Sequence, residues 1–185
     1  QFGRLARIAS ICLESNRGAA VRFLQATSGD SPLRARWALC CQPEHVADRS
    51  LPGPRDGWLA MDRPLPVAAA LTELGLFNLD APDRTFDDEV IWYRADFDES
   101  DAQDLEDGTL VFDGLATVAE VWLNGERVVS SHNMFRQWHV PLKGRLRAQG
   151  NQLLMRFHAL NARLREPRKR PRWRVPMLEQ RHQQL

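Results

Sequence analysis

Residues 108–135 read GTLVFDGLATVAEVWLNGERVVSSHNMF, and this stretch decides the fold. Ala119, Val121 and Leu123 alternate with Glu120 and Trp122, the two-residue period of a strand with one buried face. Asn124-Gly125 follows. Both central residues of a type I′ turn need positive φ, which Asn and Gly tolerate best, so the pair predicts a two-residue hairpin whose return strand begins at Val128 and Val129. Upstream, Leu110-Val111-Phe112 predicts another strand, broken at Asp113-Gly114. By itself the stretch defines a hairpin in an antiparallel sheet, and any antiparallel domain would satisfy it.

Similar alternation recurs on both sides. Ile91, Tyr93, Ala95 and Phe97 share one face of a strand over 90–97, with Trp92, Arg94 and Asp96 on the other. Arg36–Cys41 predicts a first strand with Trp37, Leu39 and Cys41 on one face, and 137–142 a strand after the hairpin. Over 151–159, Leu153, Met155 and Phe157 alternate with Leu154, Arg156 and His158. One helix is expected at 66–74, because Val67, Ala70, Leu71 and Leu74 fall on one stripe. Pro66 suits its first position, and Gly75 suits the left-handed residue beyond its end. Between helix and strand, 76–89 is a loop rich in Asp. Phe2, Leu5, Ile8, Ala9, Cys12 and Leu13 recur at roughly helical spacing within 1–26, and 27–32 is a turn-rich boundary.

At 185 residues the chain suffices for one domain with a full core, and 43% hydrophobic with 26% charged residues is ordinary for a globular protein. A net charge of +1 gives no bulk attraction for nucleic acid or an anionic membrane. No apolar stretch is long enough for a membrane span or a signal core. The three cysteines, Cys12, Cys40 and Cys41, form no disulfide framework, and neighbours in a strand point to opposite faces. A reducing, cytoplasmic setting is expected. Neither a Cys-x-x-Cys pair nor a ligand-like spacing of His132, His139 and His158 is present, so no metal or other cofactor is expected. The chain begins with Gln1 rather than Met, and it is expected to be a piece of a longer one.

Phe112-Asp113-Gly114-Leu115-Ala116-Thr117-Val118-Ala119, then Val121-Trp122-Leu123-Asn124-Gly125 and Asn133-Met134-Phe135, resembles the sugar-binding domain of glycoside hydrolase family 2, and most of all its β-mannosidase branch. Thr117 matches the family's Thr, whereas Ala116 stands where many members have Asp. Trp92-Tyr93-Arg94 with Phe97, the run 146–153, and Arg170-Pro171-Arg172-Trp173-Arg174 with Pro176-Met177 and Glu179 resemble further segments in the same order. The resemblance implies an all-β fold: a jelly-roll, galactose-binding-domain-like β-sandwich over 33–160 with one short helix. It would carry an N-terminal appendage (1–32) and a basic linker (161–185) leading to immunoglobulin-like and TIM-barrel domains of the same chain. It further implies the non-catalytic N-terminal domain of a retaining exo-glycosidase that removes terminal β-linked sugars. The catalytic glutamates of such enzymes lie in the barrel, so no catalytic residue is expected here.

Glycoside hydrolysis needs two carboxyls flanking the scissile bond. Adjacent Asp87, Asp88 and Glu89 read instead as a solvated turn. The resemblance implies that the loop before the Trp92 strand borders the sugar pocket, which makes Asp83 and Arg84 candidates for substrate contact; the plainer reading is a surface turn. Trp173 and Arg174 are candidates for interdomain packing. Met134 and Phe135 read as core residues beside an Asn133 turn. A free-standing carbohydrate-binding module is the alternative, with Trp92, Trp122 and Trp138 stacking on sugar. Seven basic residues against Glu166 over 161–174 could neutralise phosphates. The near-neutral chain and the lack of a folded nucleic-acid motif favour an interdomain linker, with no nucleic-acid or membrane partner. Prolines 167, 171 and 176 forbid a continuous helix there.

Overall fold

The structure, a computed structural model, describes residues 5–8, 31–47, 51–98 and 108–165. In chain order come β1 (Leu5–Ile8), β2 (Ser31–Pro32), β3 (Arg36–Pro43), α1 (Glu44–Ala47), β4 (Leu59–Met61) and α2 (Val67–Glu73). Then follow β5 (Glu89–Phe97), β6 (Thr109–Phe112), β7 (Ala119–Leu123), β8 (Glu126–Ser131), β9 (Trp138–Pro141), β10 (Asn151–Phe157) and α3 (Leu160–Arg165). They build a six-stranded sheet in the order β4-β3-β5-β10-β7-β8 and a four-stranded sheet in the order β2-β1-β6-β9. The six-stranded sheet is antiparallel throughout.

Alternation places the core between the sheets. Trp37 and Leu39 of β3, Tyr93 and Phe97 of β5, Val121 and Leu123 of β7, and Leu153 and Met155 of β10 meet Leu110 and Phe112 of β6 and Val140 of β9. Each such side chain stabilises by about 1.5–3 kcal/mol when fully buried, so a one-residue slip in any strand would be prohibitive. The Tyr93 hydroxyl donates to the Leu65 carbonyl at 2.8 Å and ties the approach to α2 onto the central strand. Burial raises its phenol well above the ordinary value and keeps it neutral.

The hairpin forms as its sequence dictates. Asn124 (φ 52°) and Gly125 (φ 88°) make the turn, and Leu123 pairs with Glu126. The return strand therefore starts at Glu126, two residues before Val128, because a two-residue turn leaves no slack. Helix α2 closes with Gly75 at φ 70°, its N–H bonded to the Thr72 carbonyl (3.0 Å) and that of Leu76 to Leu71 (2.8 Å). Pro66 caps the helix from an extended conformation rather than sitting inside it. The helix ends at Glu73, so Leu74 is the cap residue, falls off the apolar stripe and is exposed.

Several elements depart from expectation. Residues 5–8, read with a helical spacing, form a strand parallel to β6, with Leu5 opposite Thr109 and Ile8 opposite Phe112. Pairing satisfies the otherwise open edge of β6, and tertiary hydrogen bonds override a weak local period. With β2 beside β1, β3 is the third strand rather than the first. The remainder of 1–26 lies outside the described residues. Two short helices join α2: α1 directly after β3, and α3 after β10.

At the hairpin-turn end, Asn151 is fully buried. Its Oδ1 accepts from the Arg147 N–H (2.7 Å) and from Asn124 Nδ2 (3.0 Å), while its Nδ2 donates to the Arg147 carbonyl (2.6 Å). Asn124 also donates to Arg145 O (2.7 Å) and accepts from Gln152 N–H (2.9 Å). The amide thereby joins the hairpin turn to the connection before β10. Asn151→Ala leaves buried amide groups unpaired, and urea denaturation should show a loss of about 2–3 kcal/mol; a loss under about 0.5 kcal/mol would refute this role.

Candidate functional site

The pairings Pro43–Glu89, Ile91–Phe157, Phe157–Ala119 and Ala119–Ser131 place the end of β3, the start of β5, the end of β10, the start of β7 and the end of β8 along one edge. Phe112 pairs with Trp138, so the connections 113–118 and 132–137 cross between the sheets at this same end. Gln137 Nε2 donates to Asp113 Oδ1 at 2.6 Å and joins the two. The 76–88 loop enters β5 here, and α3 leaves from here. The Asn161 N–H bonds the Asp87 carbonyl (2.9 Å), and Arg165 lies 3.4 Å from Asp88.

Asp83 and Arg84, neighbours in sequence, have separate surroundings. Asp83 is exposed. Arg84 donates through Nε to Glu89 Oε1 (2.7 Å) and through a second N–H to Glu89 Oε2, a bidentate pair at the first residue of β5. The Glu89 hydrogen bonds raise its pKa above the ordinary value, so the guanidinium stays charged. It also lies 5.3 Å over the Phe86 ring, and Phe86 meets Phe77 edge-on at 5.1 Å. Arg84 therefore pins the loop to the sheet, and its fork is filled by Glu89. Behind it, burial pushes the Cys41 thiol up to about 11 despite the nearby guanidinium. Cys40 faces the other side of the sheet, donates to the Asp56 carbonyl (2.9 Å) and is likewise raised by burial to about 11. Trp173 and Arg174 lie outside the described residues.

The outer face of the six-stranded sheet carries a layer that the sequence did not announce. Trp92 is fully buried there, against Trp122 at 5.8 Å, with the Arg156 guanidinium 5.5 Å over its ring. Arg94 lies 4.7 Å over Trp58. Ala47 and Ala159, flanking the sheet from α1 and the approach to α3, complete the cover. This weighs against the alternative of sugar-stacking indoles: Trp92 has no exposed face, and Trp122 is half-buried against it. Trp138 is half-buried too, with Arg136 4.4 Å over its ring and its N–H donated to Ser131 Oγ (3.3 Å). The available signal was the pairing of Trp92 with Arg94 and of Leu154 with Arg156 on outward positions, where a solvated strand would carry short polar residues.

Phe135 is the opposite correction. Read as core, it is 87% exposed. Asn133 Oδ1 accepts the Phe135 N–H (2.9 Å), its carbonyl accepts the Arg136 N–H (3.3 Å), and Ser131 Oγ bonds its backbone. The turn is built by Asn133 and points its aromatic residue outward.

Glu120, Arg127, Arg156 and His158 form a polar group on the same outer face. Glu120 Oε1 bonds Arg127 (2.9 Å), and Glu120 Oε2 lies 3.1 Å from His158 and 3.8 Å from Arg156. Burial, and then the Arg156 charge, hold His158 below its ordinary value of 6.5 despite Glu120.

A two-sheet sandwich with a capping helix, a packed outer face and loops gathered at one end is a galactose-binding-like domain. The chain belongs to the glycosyl hydrolase 2 galactose-binding domain-like family, whose model matches residues 56–185. Beta-mannosidase B of Thermothelomyces thermophilus is 37% identical over 70 residues, covering 37% of this chain and 8% of that protein. Among solved structures, the Beta-D-Mannosidase from Dictyoglomus thermophilum superposes with a TM-score of 0.54 at 24% identity, over 71% of this chain and 16% of that one. The Ruminococcus gnavus Beta-glucuronidase gives 0.43 at 19% identity, over 67% of this chain and 20% of that one. The chain thus spans a small part of the length of these relatives. The Dictyoglomus thermophilum structure, at this identity, speaks to the fold alone.

Two expectations follow from the geometry. In a double-mutant cycle of Arg84→Met and Glu89→Gln, the half-buried bidentate pair should show a coupling of about 1 kcal/mol, and additive effects would refute the pinning. His158 protonates in the unfolded chain before the folded one as pH falls, so stability is lost below about pH 7. His158→Gln should lose less Tm than the parent between about pH 7.5 and about pH 5.5; equal losses would show that His158 is not the group responsible.

Proposed function

We propose that this chain is the N-terminal, non-catalytic domain of a retaining exo-glycosidase that removes terminal β-linked sugars, with β-mannosides as the preferred class. The family match over residues 56–185 carries this reading. The likeness to Beta-mannosidase B supports the choice of sugar. The acids of the 76–88 end fit a non-catalytic role: Glu89 is committed to Arg84, and Asp88 faces Arg165. The sandwich would comprise residues 33–160 together with Leu5–Ile8 and Ser31–Pro32, which join its four-stranded sheet, and 161–185 would be the basic linker toward immunoglobulin-like and TIM-barrel domains. Asp83, exposed on a loop anchored at Arg84, is the better placed of the two candidates to reach a sugar held by the barrel. Adjacent unpaired thiols at Cys40 and Cys41 suit a reducing, cytoplasmic setting.

The test is hydrolysis of 4-nitrophenyl β-mannoside, β-galactoside and β-glucuronide by the full-length polypeptide and by the 185-residue chain. The full-length protein should favour the mannoside, and the chain alone should turn over none. A full-length protein inert toward all three would sink the reading. So would turnover by the isolated chain. Trp173→Ala and Arg174→Ala in the full-length protein should each lower both Tm and rate; unchanged values would remove these residues from the interdomain contact.

A further inference from the structure

We propose that Asn124-Gly125 is a site of spontaneous deamidation that the folded domain holds off, and that opening of this end of the sandwich commits residue 124 to aspartate or isoaspartate. The site is independent of the glycosidase reading above.

The chemistry is local. No other asparagine of the chain precedes a glycine. The backbone nitrogen of Gly125 attacks Cγ of Asn124 and loses its proton. A bond forms between that nitrogen and Cγ, the Cγ–Nδ2 bond breaks, and Nδ2 leaves as ammonia with the proton. Water then adds to one of the two carbonyls of the five-membered ring. Opening on one side gives aspartate. Opening on the other gives isoaspartate, whose main chain runs through the side-chain carboxyl and is longer by a methylene. No oxidant or reductant enters. Glycine obstructs the attack least, because it has no Cβ and its backbone turns freely. Water reaches the pair: Gly125 is exposed and Asn124 half-buried.

Burial therefore does not protect this bond; two features of the turn do. Ring closure eclipses Asn124 Cβ with the Gly125 nitrogen across the Cα–C bond. The φ values of 52° at Asn124 and 88° at Gly125 are those of a type I′ turn. Its first central residue has ψ of roughly 30°, well away from that eclipse. The ring cannot close until the turn opens. The carboxamide is also held at each polar atom. Nδ2 donates to the Arg145 carbonyl (2.7 Å) and to Asn151 Oδ1 (3.0 Å), and Oδ1 accepts the Gln152 N–H (2.9 Å). The Asn124 N–H donates to the Gln152 carbonyl (2.8 Å). Asn151, fully buried, is fixed in turn by both backbone groups of Arg147. Two of these bonds belong to the nitrogen that must leave.

The same network makes the change one-way. Aspartate at 124 would turn a carboxylate oxygen toward the Arg145 carbonyl and Asn151 Oδ1, two acceptors that now receive N–H groups. Isoaspartate would lengthen a turn that spans only two residues between the paired Leu123 and Glu126. Either product leaves the end of the sandwich without the bonds that kept the turn shut.

The test incubates the full-length polypeptide at mildly alkaline pH, in native buffer and in denaturing urea. Peptide mapping then separates asparagine, aspartate and isoaspartate at each position. In urea, residue 124 should convert before every other asparagine. Native buffer should slow its conversion by about tenfold or more, because only opened molecules react. In native buffer, Asn151→Ala should remove most of that protection, whereas Arg84→Met, which loosens the opposite end, should leave it in place. Asn124→Asp, the product made directly, should unfold at a lower urea concentration than the parent. Equal rates in native buffer and urea would overturn the protection, and this comparison stands even if Asn151→Ala does not fold. Another asparagine converting first in urea would overturn the site. Equal acceleration by Asn151→Ala and Arg84→Met would show that global unfolding, not this turn, is the gate. An unchanged urea midpoint for Asn124→Asp would overturn the one-way step.

Discussion

Strand β5 is buried on both of its faces, and the rest of the structure is arranged to allow it. Ile91, Tyr93, Ala95 and Phe97 enter the core between the sheets, while Val90 and Trp92 lie under the outer layer. A sandwich needs only the first of these contacts, since an antiparallel sheet can leave its other face in water. Here the outer face is closed by α1, α3 and the segment around Trp58, held by Cys40 on the Asp56 carbonyl and by the Trp58 indole on the Gly53 carbonyl at 2.8 Å. The arginines among these indoles lie over ring faces, where the aromatic quadrupole replaces part of the hydration lost on burial. The indole N–H of Trp92 has no acceptor among the described residues. An unmade bond of this kind costs about 1–3 kcal/mol, of the same order as the gain from burying so large a ring, so the ring's apolar area and the guanidinium above it must outweigh the lost bond.

Both broad faces of the six-stranded sheet are thus covered among the described residues. The ends are unlike each other. One is stitched by the amides of Asn124 and Asn151; the other holds the connections 76–88, 113–118 and 132–137 and the exit of α3. Arg84 and Asn133 do similar work at the second end: each uses its polar side chain to fix a connection, so that neighbouring residues are presented rather than buried.

The strands were legible because their period is short and their faces differ in chemistry. The hairpin at Asn124-Gly125, the faces of β5, β7 and β10, and the closing of α2 at Gly75 follow from local stereochemistry. Residue type without context is a poor guide. Phe135 is hydrophobic, yet the Asn133 turn beside it reverses the chain and turns the ring outward. Trp92 stands on what alternation marks as the solvent face, yet helices and a loop from elsewhere in the chain cover that face. Leu5–Ile8 lacked a strand signal of its own because its partner, the edge of β6, is about a hundred residues away.

The sequence by itself determined which segments extend, where they turn, which face of each strand is apolar and which family the run through Asn124-Gly125 resembles. These depend on φ, ψ and side-chain period, properties of neighbours in the chain. Only the tertiary structure decided that Arg84 is engaged by Glu89 while Asp83 remains exposed, that the indoles of the outer face are packed with arginine, and that Phe135 is turned outward. Those outcomes depend on which segments meet across the fold, and the physical quantities that set them, burial and charge pairing, exist only once the sheets have closed.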